Sequence, residues 1–342
     1  IRHTMSRIPE LSEAHPDNQQ QLFPVESVTV SDRIYSLTDH PALLRLKRVP
    51  QLVMSSAIFP ANHTRYEHSL GTYQVARQIL RALMDDEGFL AACDAQDVEL
   101  ALVASLLSSL TRFSFSTIIQ EIRGGDKSMF ASFSQSSLLD DALRYGEAKK
   151  PLVDLLTEKF PKISIERLKG ILTNQVSQYG DESGRFVHFL LNSSIDARVL
   201  DYLRRDSLHL GVSKGEGFDL GELLRHVQFR GGRLAILSSG LIVVEQIISL
   251  RYWLFNRIYW NSPNRALIAM VKHVLTALAS KSFEEEPRTS AFDFSEADAL
   301  AFFLKVASDS KLSDVKEICE YLMQPKPRRF MPLLQLSRPE GD

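Results

Sequence analysis

The sequence has few cysteines and no long hydrophobic run. Its 342 residues include only two cysteines, Cys93 and Cys319, which excludes both a disulfide framework and a cysteine-rich zinc site. No stretch approaches the roughly 18 consecutive apolar residues of a transmembrane helix, and the first residues lack the apolar segment of a signal peptide. We therefore expect a cytoplasmic protein with no membrane partner.

The sequence also lacks a strong charge of either sign and a glycine-rich phosphate loop. It has 40 Lys and Arg against 42 Asp and Glu, for a net charge of −2. This balance argues against a protein-wide surface for nucleic acid, and it leaves a local basic patch open. The phosphate-loop patterns GxGxxG and GxxxxGK[ST] are both absent, so a nucleotide would need a different kind of site.

What the sequence does contain is mostly helical periodicity. From Ser69 onward, apolar residues recur at spacings of three and four, and the stretch 98–110 is apolar almost all round, as in a buried central helix. Alternating residues on both sides of Gly231-Gly232 predict a β-hairpin, followed by a long helix over 241–260. These patterns predict an all-α protein with one small hairpin.

The N-terminal residues carry different patterns. Residues 1–25 are polar and predict a flexible arm. The alternation in 28–30 and 33–37 predicts a short second hairpin. At the other end of the chain, residues 326–329 form a short basic run, which we interpret as a solvated end.

Two motifs carry chemistry. Residues 59–71 read FPANHTRYEHSLG and follow Gln51-Leu52, and residues 196–211 read DARVLDYLRRDSLHLG. They resemble the patterns FPGAxHxRFEHSLG and DxDxxDYxxRDxxxxG of the HD-domain deoxynucleoside triphosphate triphosphohydrolases, the group of the dGTPases and the SAM-and-HD-domain proteins. Glu245, Arg251 and Tyr259 are similar to a later helix of that group. The resemblance covers about residues 26–335, with the motifs in the family's order.

The resemblance implies an all-α HD-domain helical bundle with a small β-hairpin and a C-terminal helical lobe. It divides the chain into the arm at 1–25, an HD-like core at 26–230, and the hairpin with the C-terminal lobe at 231–342.

The family's chemistry needs a divalent metal, and its ligand positions are degenerate in this chain. Family members hold the ion with an upstream His, an adjacent His-Asp pair and a downstream Asp. The upstream His is His68, but the pair falls on Ser108 and Ser109, and the downstream Asp falls on Arg198. No histidine lies between His68 and His188, so a shifted alignment cannot restore the pair.

Serine hydroxyls are weak neutral ligands, and an arginine cannot bind a metal. We therefore expect no metal, no cofactor and no intact catalytic residue, with His68 as a remnant. The resemblance marks further positions as ligand-binding, and the full candidate set is Gln51, Arg65, His68, Arg112, Arg198, Tyr202 and Asp206.

Several of these positions also have a structural alternative. Arg65 could pair with Glu67 or Asp206, His68 could be a hydrogen-bonded core histidine, and Tyr202 could be core packing. The acidic residues Asp196, Asp201 and Asp206 are expected to pair with Arg204 or Arg205. If the fold brings Arg65, Arg112 and Arg198 together, they form a metal-free anion pocket; the alternative is a collapsed pocket of arginine–carboxylate pairs.

The functional prediction is a catalytically inactive relative of the dNTP triphosphohydrolases that binds a nucleotide or phosphate, or acts as a regulatory subunit. The alternatives are a divergent metal-dependent phosphohydrolase or nuclease with a rebuilt site, and a purely architectural subunit. The resemblance also implies a homo-oligomer or a hetero-oligomer, with the helix 241–259 as the candidate interface. Nucleic acid as a partner has no support.

Overall fold

Most of the chain is helical, as the periodicity predicts. A computed structural model describes residues 5, 8–11, 19–22, 26–54, 58–125, 130–145, 150–175, 180–212, 217–279 and 292–324. Its helices, in chain order, are α1 (Asp32–Thr38), α2 (Pro41–Leu44), α3 (Arg65–Ala82), α4 (Glu87–Ala92), α5 (Ala95–Leu106), α6 (Ser116–Gly125), α7 (Gln135–Arg144), α8 (Leu152–Lys159), α9 (Ile165–Leu172), α10 (Glu182–Asn192), α11 (Ala197–His209), α12 (Leu220–Leu224), α13 (Leu241–Leu254), α14 (Ser262–Ala279), α15 (Glu296–Asp309) and α16 (Ser313–Leu322).

Two antiparallel strand pairs complete the described fold. Strand β1 (Gln19–Leu22) pairs with β2 (Glu26–Thr29), and β3 (Val227–Arg230) pairs with β4 (Arg233–Ile236). The β3–β4 hairpin is the one predicted from sequence, and its turn glycines have positive φ angles of 57° and 77°, which suit such a turn. The fold is therefore an all-α bundle with short strand pairs at its periphery.

The N-terminal predictions need correction. The predicted hairpin at 28–37 is wrong because the Ser31 side chain accepts a hydrogen bond from the Ile34 backbone and starts helix α1. The predicted flexible arm is wrong for its described parts: Met5 and Ile8 are buried, and β1 pairs with β2. Residues 1–4, 6–7, 12–18 and 23–25 of that segment lie outside the described residues, as does the basic run at 326–329.

Helix α3 lies at the centre of the bundle, where it packs against α5 and α11. It begins four residues before the predicted Ser69, because Thr64 and Glu67 form a reciprocal capping box. Helix α5 is buried along most of its length, as its continuous apolar run predicts, but it ends at Leu106. A 3₁₀ turn, Leu107–Ser109, follows and carries the two serines of the degenerate metal positions.

The C-terminal helices α14, α15 and α16 pack against one another, and α14 also packs against α6. Lys272 and Arg265 on α14 contact Glu121 Oε2 on α6 at 2.5 Å and 3.4 Å, which ties this lobe to the core. The predicted domain boundary between residues 230 and 231 falls in the β3–β4 turn, and the division remains a prediction. Among the described helices, none combines the length and apolarity needed to cross a bilayer.

Candidate functional site

The N-terminal end of α3 is held against the segment before it. The Gln51 backbone N–H donates to the His63 carbonyl at 3.0 Å, and the Arg65 N–H donates to the Val49 carbonyl at 2.8 Å. This pairing buries Gln51 beside the entry motif, with 8% of its surface exposed. Its Oε1 atom is buried and has no hydrogen-bond partner among the described residues.

His68 on α3 is joined to α11 by a buried hydrogen bond. Its Nδ1 lies 2.8 Å from Asp201 Oδ2, and Arg205 donates to both oxygens of that carboxylate, at 3.1 Å and 2.8 Å. Burial raises the pKa of Asp201, but Arg205 and then His68 oppose it and lower this pKa to about 2. His68 is therefore a hydrogen-bonded core histidine, as the structural alternative expects.

The protonation of this pair follows from its chemistry. An ionised carboxylate can only accept a hydrogen bond, so His68 Nδ1 carries the proton. Burial lowers the pKa of His68, and Asp201 opposes this shift only in part, so the imidazole is neutral at pH 7. Its Nε2 atom consequently holds a free lone pair, and none of the hydrogen bonds found in the described chain uses it.

Gly71 allows α3 and α11 to approach closely at this pair. A Cβ atom added at Gly71 would overlap the Asp201 carboxylate and the Arg205 guanidinium. The entry motif therefore ends in glycine because the neighbouring helix brings an ion pair against its backbone.

Asp206, one helical turn further along α11, is occupied by two donors. Its Oδ1 lies 2.6 Å from His63 Nε2, and its Oδ2 accepts from the Tyr259 hydroxyl at 2.5 Å. The His63 ring stacks on His209 with 4.3 Å between centroids. Asp206 pairs neither with Arg204 nor with Arg205, so the pairing predicted from sequence is wrong here.

The segment that the resemblance aligns with the family's His-Asp pair is held by a buried arginine. Arg45 donates to the carbonyls of Leu110 and Arg112, and its guanidinium lies 4.4 Å from the centroid of the Phe292 ring. Ser109 is buried, and Ser108 Oγ is buried without a hydrogen-bond partner in the described part of the chain. Arg45 thus fixes the course of the chain through the degenerate positions.

Arg65 and Arg112 are two partly buried cations close to each other. Burial lowers the pKa of Arg65 to about 9, and the charge of Arg112 contributes to this shift. Burial likewise lowers the pKa of Arg112 to about 10, with Arg198 contributing. Both remain charged at pH 7.

Their hydrogen bonds go to neutral groups. Arg112 donates to Gln120 Oε1 at 2.6 Å, and Arg65 has a long contact of 3.5 Å to Thr117 Oγ1. Glu67 caps α3 instead of pairing with Arg65. Within the described residues, neither guanidinium has a carboxylate inside 4.0 Å, so the predicted pairing of Arg65 with Glu67 or Asp206 is wrong.

Arg198, which the resemblance aligns with the downstream metal ligand, is paired. It donates to Asp196 Oδ2 at 3.1 Å and to Asn192 Oδ1 at 3.4 Å, and about a third of its side chain is exposed. Asp196 was expected to pair with Arg204 or Arg205, which is wrong. Asp196 is fully buried and also caps α11 by accepting from the Val199 N–H.

Tyr202 completes the surroundings of His68. Its ring lies edge-on to His68, with 6.5 Å between centroids, and 6.4 Å from the Tyr259 ring. Burial raises the pKa of its hydroxyl. Tyr202 therefore packs near both buried hydrogen-bond networks of α11, that of Asp201 with His68 and that of Asp206 with Tyr259.

The donor set does not fit a divalent metal. No group of three or more His, Cys, Asp or Glu side chains in the described chain is arranged to hold an ion. Both oxygens of Asp201 and both of Asp206 already accept hydrogen bonds, and Arg198 brings a cation to a ligand position. We therefore derive no chemistry through a metal.

The structure thus places several of the site residues predicted from sequence close to one another. His68 and Tyr202 surround the α3–α11 contact, while Arg65 and Arg112 lie in electrostatic range of each other. Sequence reasoning missed His63, Arg45 and Gly71 as contributors, and it named Tyr259 only for its similarity to a later helix of the family. His63 and Gly71 lie inside the quoted entry motif, whereas no local pattern identifies Arg45 as a clamp on a segment 65 residues away.

No protein-family model matches the chain. It is 29% identical over 250 residues to an uncharacterized protein of Bacillus subtilis, YwfO, covering 72% of this chain and 53% of that protein. It is 24% identical over 266 residues to a mimivirus protein whose name describes it as HD domain-containing, covering 73% and 56%. The Xenopus laevis deoxynucleoside triphosphate triphosphohydrolase SAMHD1 is 27% identical over 220 residues, covering 55% and 33%.

A solved structure has the same fold. A phosphohydrolase from Bacteroides thetaiotaomicron superposes with a TM-score of 0.66 at 20% identity, covering 89% of this chain and 76% of that chain. The chain spans about half the length of the curated relatives that it matches most strongly. The names of these relatives and the shared all-α fold support placing the chain in the HD superfamily, with a phosphohydrolase-like architecture.

Proposed function

We propose that this protein is a catalytically inactive member of the HD superfamily that binds a phosphate-bearing nucleotide without a metal and acts as a binding or regulatory subunit. The observation that carries the proposal is the adjacent pair Arg65 and Arg112. Burial destabilises the charged form of each guanidinium, and neither has a carboxylate partner in the described chain. Uncompensated, partly buried guanidiniums are costly, and an anion between them would offset that cost.

The chemistry of the two side chains selects the ligand class. A guanidinium presents planar N–H donors that match the oxygens of a phosphate, so two neighbouring arginines favour a phosphoryl group over a monovalent halide. Arg198 adds positive potential nearby, although Asp196 neutralises part of it. We infer that the phosphate portion lies toward Arg65 and Arg112.

The neutral acceptors favour a ligand that also donates hydrogen bonds. His68 Nε2 and Gln51 Oε1 both hold free lone pairs. Hydroxyl groups of a sugar or amino groups of a base would satisfy them, whereas inorganic phosphate would not. These atoms support a nucleotide rather than free phosphate as the preferred ligand. The Xenopus relative is named as an enzyme that acts on deoxynucleoside triphosphates, which makes these nucleotides the first ligands to test.

The same residues argue against hydrolysis. The metal that would polarise a phosphate and activate water has no ligand set among the described residues, and the serines supply no base. Of the four ligand positions that the resemblance implies, three hold Ser108, Ser109 and Arg198. His68 is therefore the one imidazole or carboxylate that remains at these positions. Binding without turnover is therefore the expected behaviour.

The test is calorimetric titration and thermal unfolding with dNTPs, ribonucleotides and tripolyphosphate, in EDTA. We expect a rise in the unfolding midpoint with nucleotides, because a ligand that binds only the folded state stabilises it. Arg65→Gln and Arg112→Gln should each abolish the rise. Arg144→Gln, which removes the same charge from an exposed helical position on α7, is the matched control and should retain it.

Turnover is measured separately with Mn²⁺ and Mg²⁺ by separating the products of each nucleotide. No product is expected. Hydrolysis that His68→Ala abolishes would overturn the proposed inactivity and favour the divergent phosphohydrolase. The absence of any midpoint shift at millimolar nucleotide would overturn ligand binding and favour a purely architectural subunit.

A further inference from the structure

A cavity of about 760 Å³ is bounded by the β3–β4 hairpin and by helices α10 to α13. This volume is in the range of small-molecule binding sites. None of the described residues that line it belongs to the candidate nucleotide site. Ile79, where α3 reaches the cavity, lies about 16 Å along that helix from His68. The cavity is therefore separate from the nucleotide site, and each can be tested without the other.

Most of the cavity wall is apolar. Ile79, Leu200 and Leu223 are buried residues of the lining, with at most 2% of each residue exposed. Leu234 and Ile236 of β4 line the cavity from the hairpin side and are only partly buried. Because these two residues are two apart on one strand, their side chains point to the same face. An apolar ligand would therefore cover surface that the chain itself leaves in contact with water.

The polar side chains at the end of α10 are already bonded within the chain. Asn192 Nδ2 donates to two backbone carbonyls, at 3.2 Å and 3.3 Å, and its Oδ1 accepts from Arg198 at 3.4 Å. The Ser193 hydroxyl donates to the Ile195 carbonyl at 3.1 Å. This part of the lining consequently offers little polar recognition to a ligand, which favours an apolar body over a sugar or a base.

Arg233, the first residue of β4, brings a cation to the lining. Its guanidinium lies 4.8 Å from the centroid of the Phe189 ring, and within the described chain its side chain has neither a hydrogen bond nor a carboxylate inside 4.0 Å. The carboxylate of Glu182, whose backbone carbonyl lies close to Gly232 in the turn, is 4.0 Å from Arg185. Because the N–H donors lie in the guanidinium plane, stacking on a ring leaves them available to an anion.

We propose that this cavity binds a linear aliphatic carboxylic acid, of the fatty-acid class, with its carboxylate on Arg233 and its acyl chain along β4. The lining runs beside β4 from Arg233 to Ile236, a distance of about 10 Å, and it continues to Leu241 and Val244 at the start of α13. Leu241 is 52% exposed, and the far end of the acyl chain would cover it. An extended chain matches this elongated wall better than a compact ring system does.

The charge of the lining selects the head group. Among the described residues that line the cavity, Arg233 is the one with a charged side chain. A single guanidinium matches the single charge and the two oxygens of a carboxylate. A phosphomonoester carries about two charges at pH 7, and the second charge would meet no further cation among these described lining residues. A carboxylate is therefore the anion that fits Arg233.

Calorimetric titration with octanoate, decanoate and dodecanoate tests the proposal, with nucleotide absent and each acid kept below its micellar concentration. We expect one bound molecule per chain and an affinity that rises by up to about fourfold for each added methylene, because each one buries further apolar surface. Dodecanoate should also raise the thermal midpoint, since it binds the folded state. No binding of dodecanoate, or an affinity that does not depend on chain length, would overturn the proposal.

Arg233→Gln isolates the head group. It should weaken dodecanoate binding by about tenfold to a hundredfold, the range for a charged hydrogen bond, and leave 1-dodecanol binding and the thermal midpoint unchanged. Arg230→Gln is the matched control, because Arg230 pairs with Arg233 across the hairpin, lies outside the lining and donates to Gln228 at 2.6 Å. Equal loss in both variants, or dodecanol binding as tight as dodecanoate in the unmodified protein, would overturn the role of Arg233.

Two further measurements locate and define the ligand. Ile236→Trp, which fills the cavity, should abolish binding of both dodecanoate and dodecanol; where its thermal midpoint shows that it does not fold, Arg233→Gln decides. Arg65→Gln, at the nucleotide site, should leave dodecanoate affinity unchanged, so failure of one site does not imitate failure of the other. Tighter binding of 2-naphthoate than of dodecanoate would show a ring-shaped ligand and overturn the linear class.

Discussion

The charge of Arg112 lowers the pKa of Arg65, and in the described chain neither of these partly buried guanidiniums is neutralised by a carboxylate. Two like charges in this arrangement repel each other and lose hydration. A fold selected only for stability would replace one of them. The anion proposed above would lie between them and offset this repulsion.

Removing one of these two charges should stabilise the ligand-free protein. We expect Arg112→Gln to raise the free energy of unfolding by about 0.5–1 kcal/mol at low salt, because the repulsion with Arg65 disappears while an amide can still bond Gln120. High salt should shrink the gain. Urea unfolding at two ionic strengths measures it, with Arg144→Gln as the control. A loss of stability that is independent of salt would mean that Arg112 is a structural residue.

The contact between α3 and α11 should not tolerate a side chain at Gly71. Gly71→Ala should destabilise the protein by about 3 kcal/mol, because its Cβ would overlap the buried Asp201–Arg205 ion pair. Gly124→Ala is the matched control, since a Cβ there meets nothing within 4 Å and alanine favours helix. Both are measured by chemical denaturation. Equal effects of the two substitutions would contradict the close helix approach.

The hydrogen bond from Tyr259 to Asp206 should stabilise the fold rather than serve catalysis. Burial raises the pKa of the Tyr259 hydroxyl well above its usual value, and nearby Asp206 reinforces the shift. Tyr259→Phe should therefore cost about 1–2 kcal/mol, by leaving one Asp206 oxygen without its donor. Tyr252→Phe, at an exposed position of the same helix, should leave thermal unfolding unchanged. No loss of stability in Tyr259→Phe would show that water replaces the hydroxyl.

Glu296 should make the stability fall as pH rises. Burial raises the pKa of this carboxyl from 4.5 to about 7, although its hydrogen bond from the Met54 N–H opposes the shift. Between these pH values the folded state binds one more proton than the unfolded chain, so the free energy of unfolding decreases by up to roughly 1.4 kcal/mol per pH unit. The loss is complete above pH 7.

Glu296→Gln isolates this effect. The amide keeps the acceptor for Met54 and carries no charge, so the variant should equal the unmodified protein near pH 4.5 and exceed it by about 2–3 kcal/mol at pH 8. Glu317→Gln, at an exposed glutamate of α16, should show no such divergence. If the free energy of unfolding varied with pH in the same way in Glu296→Gln and in the unmodified protein, Glu296 would not be the group that binds the extra proton.

Metal binding should be restored by restoring the family ligands. The unmodified protein should unfold at the same temperature with Mn²⁺ and with EDTA. Ser108→His, Ser109→Asp and Arg198→Asp together should create a site with His68, and Mn²⁺ at about 100 times its dissociation constant should add about 2.7 kcal/mol. Adding His68→Ala should remove most of this gain. Stabilisation of the unmodified protein by Mn²⁺ that depends on His68 would contradict the degenerate site.

Several features of this protein could be predicted from the sequence because they depend on neighbouring residues. Helical periodicity predicted the bundle, and Gly231-Gly232 between alternating strands predicted the β3–β4 hairpin. The hairpin predicted at 28–37 failed because the local cap at Ser31 outweighed a short alternation. The resemblance of the motifs placed Ser108, Ser109 and Arg198 at the family's ligand positions, and this assignment remains a prediction.

The choice of partners for the charged residues was decided by the tertiary structure. Spacing on α11 suggested that its aspartates pair with Arg204 or Arg205, but only Asp201 does so. Asp196 binds Arg198, two residues away at the start of α11. Asp206 binds His63 and Tyr259, because the segment before α3 and the π-helical turn Phe255–Tyr259 bring these donors within reach. The sequence determines which charges exist, whereas desolvation and distance in the folded chain determine which of them are neutralised, and Arg65 and Arg112 have no neutralising partner in its described part.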